Sequence, residues 1–219
     1  MNTTKLLPLA GLGIIAAAAW AYLLTAGMAL TMDVMTMPNG SLMSMPVEWT
    51  PAHVLRVFVM WSIMMVAMML PSAIPAAAQL AVPNTMLRFA SVYAAAWAGF
   101  ALVATLLQWL LSATGLMSDG MVISNTLLAG ALLVAVGLYQ FTPLMARDLE
   151  RCHNRIDYVL SCIGCCAPLM LVLFVVGIMN VAWWVVLALW VLAEKAWTHG
   201  VWLARLGGVT LVVWGATQL

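Results

Sequence analysis

Charge is what this sequence has least of. Only 7% of its 219 residues are Asp, Glu, Lys or Arg, where a soluble domain carries about 25%. A surface with so few charges excludes a water-soluble globule. The net charge of +1 gives no electrostatic footing for nucleic acid. No Walker A loop, nucleophile elbow, HExxH or dinucleotide fingerprint occurs, which argues against a nucleotide-driven pump, a hydrolase or a dehydrogenase and leaves no nucleotide partner. No internal repeat supports an inverted-repeat transporter. No small-residue cleavage site follows the first apolar segment, so that segment reads as a span and not as a secretory signal.

What is present is apolar. Hydrophobic residues make up 66% of the chain, and the mean hydropathy is +1.08. Lipid requires every backbone polar group to be paired internally. A β-barrel would alternate apolar and polar residues over roughly ten-residue strands, whereas these segments are continuously apolar. The expected fold is therefore all-α: a polytopic transmembrane helical bundle forming one integral membrane domain over residues 1–219, with the lipid bilayer as its surroundings.

Spanning takes about 20 apolar residues. Seven spans are read, at about 7–30, 52–70, 89–114, 125–144, 158–178, 181–197 and 201–218. Pro71 is expected to end the second, Gly115 the third, and Asn180 to mark a turn before a short sixth. If the helix instead continues through Met179-Asn180, the count is six. Lys5, Arg88, Arg147, Arg151, Arg155, Lys195 and Arg205 then fall on one side and Arg56 on the other. By the positive-inside rule, this places the N-terminus in the cytoplasm.

All four cysteines lie between Cys152 and Cys166. Cys162, Cys165 and Cys166 stand at helical i+3 and i+4 spacing and share part of one face. Cys152 and His153 precede them. Thiolates favour soft ions, Cu(I) and Zn(II) above all. The alternatives are that buried Cys is a small hydrophobe or that the closely spaced pair exchanges thiol and disulfide.

A second sulfur cluster lies in the second span. Met64 and Met68 share one face, as do Met65 and Met69. Thioethers coordinate Cu(I) without deprotonation, and Met is equally an adaptable filler of apolar cores. Met32, Met35, Met37, Met43 and Met45, with His53 after them, stud the first loop. That loop either captures copper or rests on the membrane surface. Tyr139-Gln140 and Glu194-Lys195 are expected at the same inner depth. Glu194 and Lys195 are neighbours that point apart, needing separate partners or snorkelling to the interface.

In order along the chain come Trp61…Met64-Met65-Val66-Ala67-Met68-Met69-Leu70-Pro71-Ser72…Pro75, Gly137-Leu138-Tyr139-Gln140…Pro143-Leu144, Cys162-Ile163-Gly164-Cys165-Cys166, Gly177…Met179-Asn180 and Glu194-Lys195. Over roughly residues 61 to 215 this pattern resembles a bacterial family of predicted metal-binding integral membrane proteins, long classed as a domain of unknown function. The chain departs from it at Met145, at Ala167-Pro168 and in a shorter 147–157 connection. The resemblance implies a multi-pass protein of the bacterial inner (cytoplasmic) membrane with a metal site.

Two functions follow as expectations. One is Cu(I) binding, transport or delivery to a cuproenzyme, with zinc the lesser metal and no catalytic step. Its metal ligands are Cys162, Cys165 and Cys166, with Cys152, His153 and a relay of Met64, Met65, Met68 and Met69. The other is a non-catalytic subunit or assembly factor of a larger membrane complex. There the sulfur residues pack, and Gly130, Ala131 and Gly137 permit close helix contact.

Overall fold

The computed structural model describes residues 3–27, 34–36, 42–44, 48–80, 82–118, 121–154, 157–197 and 199–219. Helices dominate: α1 (Thr3–Tyr22, continued by a π turn Leu23–Gly27), α2 (Pro51–Ala77), α3 (Pro83–Ala113), α4 (Thr126–Tyr139), α5 (Pro143–Asn154), α6 (Tyr158–Met170), α7 (Leu173–Val176), α8 (Val181–Ala196) and α9 (Gly200–Ala216). The expected all-α architecture is amended by one short antiparallel hairpin in the first loop. Its strands are β1 (Val34–Thr36) and β2 (Leu42–Ser44), with Met35 opposite Met43. Met32, Met37 and Met45 of that loop lie outside the described residues.

The expectation of seven spans is corrected. Among the described residues, three helical stretches are long and apolar enough to cross a membrane: Pro51–Ala77, Asn84–Ala113 and Tyr158–Val176. A fourth arises if α4 and α5, bent by 63°, count as one. The reason is length. At about 1.5 Å rise per residue, the 17 residues of α9 and the 16 of α8 extend about 25 Å, against a hydrocarbon core of about 30 Å. Apolar composition persisted along the chain where uninterrupted helix did not. The Asn180 turn does occur. Gly177 takes φ +100°, a conformation that costs glycine little, and the Trp184 indole donates to the Ile178 carbonyl at 2.7 Å.

Pro71 does not end α2, and the reason is specific. Proline lacks the N–H that would reach the carbonyl four residues back, here that of Ala67. The indole of Trp20 on α1 donates to that oxygen at 2.8 Å, so the helix runs on to Ala77. Pro168 repeats the device in α6. It leaves the Gly164 carbonyl without its helical partner, and the Tyr139 hydroxyl from α4 donates there at 3.0 Å.

Packing is closest between α4 and α9. Gly130 meets Gly215, and Gly137 meets Gly208; a Cβ at Gly130 or Gly137 would stand 2.8 Å from the facing glycine's carbonyl oxygen. Each pair of glycines is seven residues apart, about two helical turns, so both contacts fall on one stripe. Gly130 and Gly137 therefore serve packing within the chain, while Ala131 faces outward. Elsewhere the outer faces carry large apolar side chains, among them Leu102, Val103, Leu106, Leu127, Leu160 and Leu206.

Two measurements check these contacts. Trp20→Phe should cost about 1–3 kcal/mol, the penalty for an orphaned buried acceptor, and adding Pro71→Ala should restore most of it by returning the helix's own N–H. Thermal unfolding in detergent reads both, and a Pro71→Ala change that fails to rescue would break the argument. Gly137→Ala should destabilise by about 1–3 kcal/mol through overpacking against α9; an unchanged melting temperature would contradict the close approach.

Candidate metal centre

The thiols converge. Cys162, Cys165 and Cys166 on α6 are fully buried, and Cys152 on α5 is nearly so. Cys165 Sγ lies 3.3 Å from Cys166 Sγ and 4.0 Å from Cys152 Sγ, and its thiol donates to the Cys162 carbonyl at 3.4 Å. All four are free thiols. Helical spacing explains the three on α6. Cys152 arrives because α5 folds back along α6, and Gly164 is what admits it. A Cβ at Gly164 would collide with the carboxylate of Asp148, which is also on α5. Asp148 itself is nearly buried, with Arg147 Nε 3.8 Å from its carboxylate.

Around the thiols lies a polar shell drawn from three other helices. Lys195, in the last turn of α8, donates through Nζ to Cys162 Sγ at 2.8 Å and to Ser72 Oγ at 3.3 Å. The same ammonium sits 5.5 Å from the centroid of the Tyr158 ring, whose hydroxyl donates to the Ser72 carbonyl at 2.8 Å. Tyr93 on α3 places its hydroxyl 3.3 Å from Cys162 Sγ and donates to the Met69 carbonyl at 3.0 Å. A cavity of about 340 Å³ reaches this cluster, lined by Ser72, Gln79, Cys152, Tyr158, Leu192 and Lys195 among others. The end of α2, the start of α6 and the end of α8 thus meet at one end of the bundle.

Of the metal ligands proposed from the sequence, all but His153 have described side chains. Met64, Met65, Met68 and Met69 are all buried on α2. The link from α2 to the thiols runs through the Met69 carbonyl and Ser72, by way of Tyr93, Tyr158 and Lys195. The side chain of His153 lies outside the described residues. Glu194 takes a different hydrogen-bond partner from its neighbour: Oε1 accepts the Trp190 indole at 2.7 Å, and Oε2 is buried with no hydrogen-bond partner among the described residues. Lys195 does not simply snorkel: its partner is Cys162. A lysine preceded by a long apolar run on a helix was the available sign. Nothing in the sequence tied Tyr93 or Ser72 to the cysteines.

Among the described residues, no three His, Cys, Asp or Glu side chains already stand in an arrangement that would hold an ion by themselves. The cluster instead offers pairs of sulfurs, with an ammonium as counter-charge. Soft sulfur pairs of this kind suit Cu(I).

A family model described as a copper chaperone, PpoB2, matches residues 58–161 and 156–218. The chain belongs to the PpoB2 copper chaperone family. The match takes in the α2 methionines, all four cysteines and Lys195, and it bears out the metal-related family implied by the sequence pattern. No curated protein and no solved structure matches the chain.

The Gly164 contact yields a prediction. Gly164→Leu, too large to be accommodated by a turn of the Asp148 carboxylate alone, should push α5 away from α6, so that Cys152 becomes open to alkylation. Maleimide labelling of the detergent-solubilised protein should rise several-fold while Cys162 stays protected. Unchanged labelling would mean that Gly164 does not seat α5.

Proposed function

We propose that the chain is a Cu(I)-binding membrane protein that receives the ion at its thiol cluster and passes it on, with a copper-requiring enzyme as the recipient. The observation that carries this reading is the convergence of all four cysteines of a copper chaperone family member at one buried place beside a cavity. Two thiolates drawn from Cys162, Cys165 and Cys166 hold the ion. Cys152, on the cavity wall, is the thiol that meets incoming or departing copper, with His153 next to it in sequence. Met64, Met65, Met68 and Met69 form a softer relay along α2.

Transfer between thiols proceeds by ligand exchange: one Cu–S bond forms as another breaks, the proton lost by the incoming thiol goes to the departing thiolate, and no electron moves. Thioether and thiolate ligands keep copper in its Cu(I) state throughout. The protein sits in the bacterial inner membrane as a multi-pass bundle. The exposed apolar faces of α3 and α9 and the three long apolar helices support a place in a membrane. A cytosolic position for the thiols also keeps them reduced.

Purified, detergent-solubilised protein should bind stoichiometric Cu(I) under anaerobic conditions, measured by competition with a colorimetric chelator. Cys162→Ser combined with Cys165→Ser should abolish that binding. Equal and negligible copper in both proteins would discard the reading. Retention by the double variant would move the site elsewhere.

A further inference from the structure

We infer that Lys195 is a specificity-determining residue, whose fixed positive charge makes the thiol site favour a monovalent soft cation over a divalent one. The inference rests on the Cu(I) reading above and deepens it. Its starting point is the contact of 2.8 Å from Lys195 Nζ to Cys162 Sγ, with Cys162 wholly buried.

Charge bookkeeping in an apolar bundle is unforgiving, since an uncompensated ion there is costly. Two thiolates around Cu(I) carry one net negative charge, and the adjacent ammonium brings the unit to zero. The same two thiolates around Zn(II) are already neutral, so the ammonium leaves one positive charge without a counter-ion. A third thiolate would restore neutrality for zinc. However, no three donors among the described residues are arranged to hold an ion together.

The other charged groups near the site do not alter the sum. Asp148 faces α6 at Gly164 and has Arg147 beside it. Glu194 is buried, a setting that favours its neutral carboxyl, and its Oε1 accepts from the Trp190 indole. The ammonium is also held where it is. Ser72 Oγ accepts from it, Tyr158 presents its ring face to it, and the Tyr158 hydroxyl is anchored on the Ser72 carbonyl. A lysine fixed by partners on α2 and α6 keeps its charge at the sulfur when a metal arrives.

The test compares Lys195→Met and Lys195→Gln with Lys195→Arg. The Gln variant keeps an N–H donor on a shorter, uncharged side chain and the Met variant keeps an unbranched side chain without a donor, so an effect common to both tracks the charge, and either serves if the other does not fold. Cu(I) and Zn(II) affinities are measured anaerobically by chelator competition on the detergent-solubilised chain. Both neutral variants should lower the ratio of Cu(I) to Zn(II) affinity by about thirtyfold or more, the size of effect seen when one partner of a buried charge pair is removed. Lys195→Arg should keep the wild-type preference. A merely structural lysine would weaken both metals alike, and that result, or an unchanged ratio, overturns the inference. Wild-type protein that binds no Cu(I) at all would instead fell the copper reading on which it stands.

Discussion

A backbone carbonyl cannot be left unpaired inside an apolar bundle, and prolines at 71 and 168 each leave one. Much of the architecture answers that constraint. The Ala67 carbonyl takes the indole of Trp20 and so fastens α1 to α2. The Gly164 carbonyl takes the hydroxyl of Tyr139 and fastens α4 to α6. In each case a residue that would ordinarily stop a helix becomes a docking point for another helix. The penalty for an unsatisfied acceptor, about 1–3 kcal/mol, is what makes the choice of partner definite.

The second of these points lies inside the cysteine run itself, so the fold and the site share atoms. Gly164 receives Tyr139 on its carbonyl and Asp148 against its α-carbon. Both come from the bent α4–α5 pair, and the same bend carries Cys152 to the other thiols. On the opposite side, the Trp20 donor lets α2 run on past Pro71. Ser72 is then close enough to hold Lys195 and Tyr158. The polar shell of the thiols is thus a product of two interrupted helices and the aromatic donors that repair them.

Much of this was legible in advance. Low charge and continuous apolar runs announced helices in lipid-like surroundings, and the cysteine spacing put three thiols on one helical face. The turn before α8 was readable from Asn180, with Gly177 just before it. The number of spans was not readable, because hydropathy measures composition and says little about where a helix breaks. Leu171 and Val172 interrupt α6 and α7 without any polar signal. Pro143 was visible, yet the 63° bend that it accompanies was not. The stopping power assigned to Pro71 was mistaken for the same reason: whether a freed carbonyl is tolerable depends on a donor 47 residues away in sequence.

By itself, then, the sequence determined the chemistry available: soft sulfur donors, long apolar segments, and scarce charges. Those follow from side-chain identity and helical period, which are local properties. Only the tertiary structure decided that Lys195 addresses Cys162 and that Tyr93 bridges α2 to a thiol. These are pairings across long separations, set by which helix faces meet. Burial in a low-dielectric interior makes such pairings strong without leaving a trace in local composition.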